Sequence, residues 1–113
     1  MNEKKLPFIN INNEIKISEE NDVHETIDFI YNLLTKKNYK FIILSGLNTA
    51  IKKVVLITEI IKSKIPGLHQ INDINSLDKN NEKMIPRMSI KLTFEPTNEE
   101  KQLKGYQNPL NSI

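Results

Sequence analysis

The sequence predicts an α/β chain of the two-layer α+β kind: one domain in the order β-α-β-α-β-β, with two helices on one face of a mixed four-stranded sheet. Three observations predict it. Val23, Ile27, Ile30 and Leu34 recur at helical spacing, and so do Ala50, Val54, Thr58, Ile61 and Ile65. Between the two helices, "KFIIL" (Lys40–Leu44) is an unbroken apolar run rich in β-branched residues, the pattern of a strand covered on both faces. Near the end, "RMSIKLTF" alternates strictly, with Met88, Ile90, Leu92 and Phe94 on one side and Arg87, Ser89, Lys91 and Thr93 on the other.

The remaining elements follow in order. "NEIKIS" (Asn13–Ser18) sets Ile15 and Ile17 on one side of a short strand. Asp22, with Glu25 three residues on, has the form of a helix cap. Leu33 widens that helix's stripe, and "KKN" ends it with cations at the negative end of the dipole. The second helix has an apolar face of Ala50, Ile51, Val54, Val55, Thr58, Ile61 and Ile65, and Pro66-Gly67 stops it. Leu56, Ile57 and Ile60 add apolar surface beyond that face, which suits a subunit interface. "GLHQINDI" (Gly67–Ile74) reads as a third strand, and "NSLDKNNEK" (Asn75–Lys83) as a polar hairpin tip. Two strands joined by a helix are expected to be parallel, and the last two to form a hairpin. Residues 1–12 are expected to form an arm, 13–95 the domain, and 96–113 a loosely docked tail.

The 113 residues suffice for one core. No apolar run is long enough to span a membrane, and no secretory leader is visible. Cysteine is absent, which removes disulfides and thiolate metal sites and fits a reducing compartment. The net charge is +2, unevenly spread: residues 1–51 carry six Lys against seven acids, and residues 52–113 carry ten Lys and Arg against seven. The basic excess thus begins at Lys52. Neither a phosphate-binding glycine loop nor a set of acid, base and nucleophile can be assembled, so no enzyme, cofactor or small-molecule substrate is expected.

With this order in place, "GLNTAIKKVVLITEIIKSKIPGLHQI" resembles the Alba superfamily of small DNA- and RNA-binding proteins. Its eukaryotic members carry a pattern like K-A-x-G-R-A-I-x-K-x-V, a helix ending E-I-[IL]-[KR]-x-[KR], and then G-L-H-Q. Here these correspond to Ser45–Val55, Glu59–Lys64 and Gly67–Gln70. "GYQNPL" (Gly105–Leu110) looks like the family's closing G-Y-Q-x-P. The resemblance spans about Asn13 to Leu110. It implies a two-fold dimer that binds RNA or DNA with little sequence preference, laying both helix starts and two hairpins on the duplex. It also brings in a relation to ribonuclease P and MRP subunits, which work as heterodimers on an RNA, and a setting in the nucleus, the cytoplasm or both. Acetylation of lysine would tune such binding by removing charge.

Five residues carry the expected contacts. Lys52 and Lys53 open the second helix, where free N–H groups favour an anion; the competing reading is a solvated pair. Arg87 and Lys91 share a strand face, with Lys83 at the hairpin base; the competing reading is the charged wet side of a strand. Lys62 and Lys64 suit the helix dipole without further function. His69 reads as structural, and Tyr106 as a pin for the tail. The sequence departs from the family where basic residues usually precede the first helix: here stand Glu19, Glu20, Asn21 and Asp22. Ser45 and Thr49 replace Lys and Arg around the turn, Asn48 replaces a glycine, and the hairpin's usual arginine falls on Ile85, two residues before Arg87. Each cation missing from the phosphate-binding set weakens binding and flattens its salt dependence.

Overall fold

A computed structural model describes residues 5–79 and 83–110. The elements are β1 (Glu14–Lys16), α1 (Val23–Thr35), β2 (Phe41–Leu47), α2 (Ala50–Lys64), β3 (His69–Lys79), β4 (Lys83–Thr93), a 3-10 turn (Glu100–Gln102) and β5 (Tyr106–Gln107). The strands lie in the order β1-β2-β4-β3-β5. β1 runs parallel to β2, and the remaining pairs are antiparallel. The parallel pair and the hairpin match expectation; the sheet has five strands, one more than expected.

Asp22 caps α1 as its spacing predicts: its Oδ1 accepts the Glu25 N–H at 3.1 Å. Ile27, Ile30, Leu33 and Leu34 are buried. Asn38 follows at φ 58, a conformation asparagine tolerates, and turns the chain into β2. In β2, Ile42 and Leu44 face the helices and pair with Leu92 and Ile90 of β4, all fully buried. Gly46 shares their face. A Cβ there would stand 2.7 Å from Val54 Cγ2 and 3.2 Å from the Ala50 carbonyl, so the bare backbone lets α2 seat directly on the strand. Asn48 completes the turn at φ 51, and its N–H donates to the Pro86 carbonyl at 2.9 Å.

The buried face of α2 is Ala50, Val54, Ile57, Thr58, Ile61, Lys62 and Ile65. It is rotated from the expected face: Ile57 joins it, Val55 is exposed and Ile51 half-buried. That face includes Lys62, buried although charged. Its Nζ donates to Gln70 Oε1 at 3.0 Å and to the Asn108 carbonyl at 3.2 Å, so its cation is satisfied. Burial lowers its pKa, and Glu59 offsets this in part.

β3 runs past its expected end, and the ladder with β4 stays in register from His69↔Thr93 to Lys79↔Lys83, across Pro86. The hairpin is therefore longer than the polar tip suggests, because residues 73–77 of β3 and Met84 and Pro86 of β4 are exposed and the segment carries no apolar alternation. The tail docks along the sheet edge at a few points. Gly105 accepts the Asn72 N–H at 2.9 Å, and any Cβ on it would stand 2.0 Å from the Asn72 carbonyl oxygen. Tyr106 Oη meets His69 Nδ1 at 2.7 Å, with the rings stacked. Tyr106 thus pins the tail, through a partner 37 residues away.

Candidate nucleic-acid interface

Alternation along the strands divides the charged candidates from the core. Glu14 and Lys16 of β1, Ser45 of β2, and Arg87, Ser89 and Lys91 of β4 all lie on the sheet face opposite the helices. Lys52 and Lys53 lie instead where α2 begins, beside the loop that precedes α1.

Lys53 Nζ donates to the carbonyls of Glu19 and Asn21, each at 2.7 Å. It therefore straps the loop before α1 onto α2. Its partners are neutral carbonyls, so its positive charge is kept, and two of the ammonium's three donors are used. Lys52 is exposed, and among the described residues it has no hydrogen-bond or ion-pair partner. Both line an open depression of about 370 Å³ between the two helix starts, where they face one carboxylate, Glu19. The Thr49 side chain makes no cap hydrogen bond, so no hydroxyl takes the amides of the first turn of α2.

Arg87 and Lys91 are placed differently. Arg87 Nη2 pairs with Glu14 Oε2 at 2.9 Å, and Ser45 Oγ donates to the same oxygen at 2.6 Å. Burial, the largest influence on Glu14, pushes its carboxyl up; the hydrogen bonds from Ser45, Arg87 and Asn10 and the guanidinium charge together outweigh it, and the pKa is lowered. Lys91 Nζ pairs with Glu100 Oε2 at 2.7 Å and sits 4.5 Å from the centre of the Phe41 ring. That hydrogen bond is the main reason the Glu100 pKa is lowered. Within one protomer, neither cation faces solvent alone. Lys83 opens β4, but its side chain lies outside the described residues.

A larger groove, about 680 Å³, runs from Arg87 past the turn after β2 to the loop before α1. Its walls carry two cations, Lys16 and Arg87, against three carboxylates, Glu14, Glu19 and Glu20. It repels a phosphate on balance, whereas the depression at Lys52 and Lys53 attracts one. Lys16 escaped the sequence reading, although "NEIKI" signals it: a residue between Ile15 and Ile17 must point away from the core. Among the described residues no cluster of His, Asp and Glu could hold a metal ion, and no helix is long and apolar enough to cross a membrane.

Comparison with known proteins gives this geometry its context. The Alba family profile matches residues 13–78, more than half of the chain. The "DNA/RNA-binding protein ALBA2" of Plasmodium falciparum is 37% identical over 65 residues, which are 57% of this chain and 29% of that protein. This chain therefore matches less than a third of that relative's length. Among solved structures, Alba from Thermoplasma volcanium superposes with a TM-score of 0.56 at 16% identity, covering 71% of this chain and 98% of that one. ALBA1 from Trypanosoma brucei gives 0.56 at 18% identity, covering 74% of this chain and 71% of that one. The two structures share the fold, and the family profile covers it from β1 into β3: the chain belongs to the Alba family.

Proposed function

We propose that this chain binds RNA or DNA through the phosphate backbone, with little readout of bases, as a dimer. One observation carries the reading. At the start of α2, Lys52 and Lys53 stand beside the first-turn amides in a depression where cations outnumber carboxylates. Backbone N–H groups, the helix dipole and two ammonium groups there favour the same ligand, a phosphate. Family membership and the name of the Plasmodium relative support it. Lys52 and Lys53 lead the contacts; Arg87, Lys91 and Lys83 add to them along the hairpin, where the first two must first leave their carboxylates. For the dimer, Val55 and Leu56 of α2 are exposed, as are Ile74 and Met84 on the helix side of the hairpin. Pairing two protomers through these residues removes them from water.

A second reading rests on the three carboxylates in the larger groove. In it, the chain is a ribonuclease P- or MRP-type subunit whose paralogous partner supplies the basic surface that this protomer lacks.

Titrating binding of the purified chain to random-sequence duplex DNA and single-stranded RNA against salt, with its mass measured in solution, separates the two. A homodimer whose affinity falls as salt rises supports the first. A monomer that binds neither polymer at low salt supports the second. Salt-independent binding contradicts phosphate neutralisation altogether.

A further inference from the structure

We propose that the C-terminal segment is an autoinhibitory strap, in which Glu100 occupies Lys91 as an internal substitute for phosphate until a polyanion displaces it. This rests on the phosphate-binding reading above and adds a regulator to the same surface.

Glu100 is positioned for the role by its own local structure. Thr97 and Glu100 form a reciprocal pair: the Thr97 N–H donates to Glu100 Oε1 at 3.0 Å, and the Glu100 N–H donates to Thr97 Oγ1 at 3.0 Å. That pairing leaves Glu100 Oε2 for Lys91. The carboxylate thus stays in place through the 3-10 turn, and the ammonium is held between it and Phe41.

The strap itself is lightly attached. β5 pairs with β3 through two residues. Beyond that, Gly105 meets Asn72, Tyr106 meets His69, and the Asn108 carbonyl accepts from Lys62. Such a segment, lying at a sheet edge and held by a handful of bonds, opens locally at far lower cost than the domain unfolds. Lys91 and Arg87 lie on one strand face, four residues and so about 13 Å apart along β4. Displacing Glu100 restores a free positive charge on the strand face that also carries Arg87.

The device selects for polymers. A single phosphate competes poorly with a tethered carboxylate, whose effective concentration is high. A nucleic acid already held at Lys52 and Lys53 presents its next phosphates under the same advantage.

Glu100→Gln keeps the shape of the side chain and removes its charge. Duplex DNA or single-stranded RNA of random sequence binds the variant about three- to fivefold more tightly, with a salt dependence steeper by about 0.9 per protomer. Made in a Lys91→Gln background, the same change has no effect. Glu99→Gln removes an equal charge from an exposed neighbour and controls for net charge. Equal gains from Glu99→Gln and Glu100→Gln overturn the strap while leaving the binding reading intact. Failure of both the unaltered chain and Glu100→Gln to bind at low salt overturns the binding reading, and the strap with it.

Discussion

Reversing both charges at the start of α2, Lys52→Glu with Lys53→Glu, lowers affinity for duplex DNA and single-stranded RNA by about two orders of magnitude. A charge-assisted hydrogen bond to phosphate is worth about 1.5 kcal/mol or more, so removing two takes away ~3 kcal/mol. New carboxylates beside the first-turn amides add repulsion from the approaching phosphates. The salt dependence flattens at the same time, by about 0.9 for each phosphate no longer neutralised. Lys53 also fastens the Glu19 and Asn21 carbonyls, so its replacement loosens the loop before α1. Lys52→Glu alone separates the two roles. Lys52 is exposed and holds nothing among the described residues, so the single change costs about tenfold in affinity with an unmoved melting temperature. Paired binding and melting measurements check both variants; unaltered affinity in the double variant removes the proposed clamp.

Gly46→Ala is the substitution expected to hurt the fold most. The new methyl would meet Val54 Cγ2 at 2.7 Å and the Ala50 carbonyl oxygen at 3.2 Å. Valine in a helix has little rotamer freedom with which to retreat, and a first-turn carbonyl cannot move without moving α2. Overpacking of this kind costs about 1–3 kcal/mol, or a fall in melting temperature on the order of 5–15 °C. Adding Val54→Ala removes one of the two clashes, so the double variant is more stable than the sum of the single losses predicts. Thermal melts of the four proteins in that cycle decide it. A Gly46→Ala protein that melts like the original shows that α2 is not seated on bare backbone.

The half of the fold built from local signals was legible in the sequence. Asp22 and Glu25 announce α1, the apolar run announces β2, and Pro66-Gly67 ends α2, with Gly67 at φ 90. What sequence hides is pairing at long range. The partner of Arg87 is 73 residues away on β1, and that of Tyr106 is 37 away on β3. Lys62 misleads because a lysine in a helix's last turn has an ordinary explanation in the dipole. It is buried instead, with its hydrogen bonds accepted by Gln70 and by a tail carbonyl 46 residues distant. The strap had a local sign, Thr97 followed three residues later by Glu100, but not a sign that Lys91 lay within reach. Among the candidate contacts, the position of Lys52 and Lys53 in the first turn of α2 was legible because a helix start is a local feature. The carboxylates opposite Arg87 and Lys91 were not: Glu14 is placed by the sheet's strand order, and Glu100 by the path of the chain after β4.

The surplus apolar surface has the same lesson at the scale of assembly. Leu56 could be marked from its spacing, but Ile74 and Met84 are set on the helix side of the sheet only by the hairpin's register.

The most direct test of the account is an amide chemical-shift map of the isotope-labelled protein titrated with short duplex DNA at low salt. Phosphate held by the start of α2 predicts that the amides from Ala50 to Lys53 move first and furthest, and that added salt reverses the movement. Shifts that spare those four residues and gather elsewhere on the sheet would contradict it.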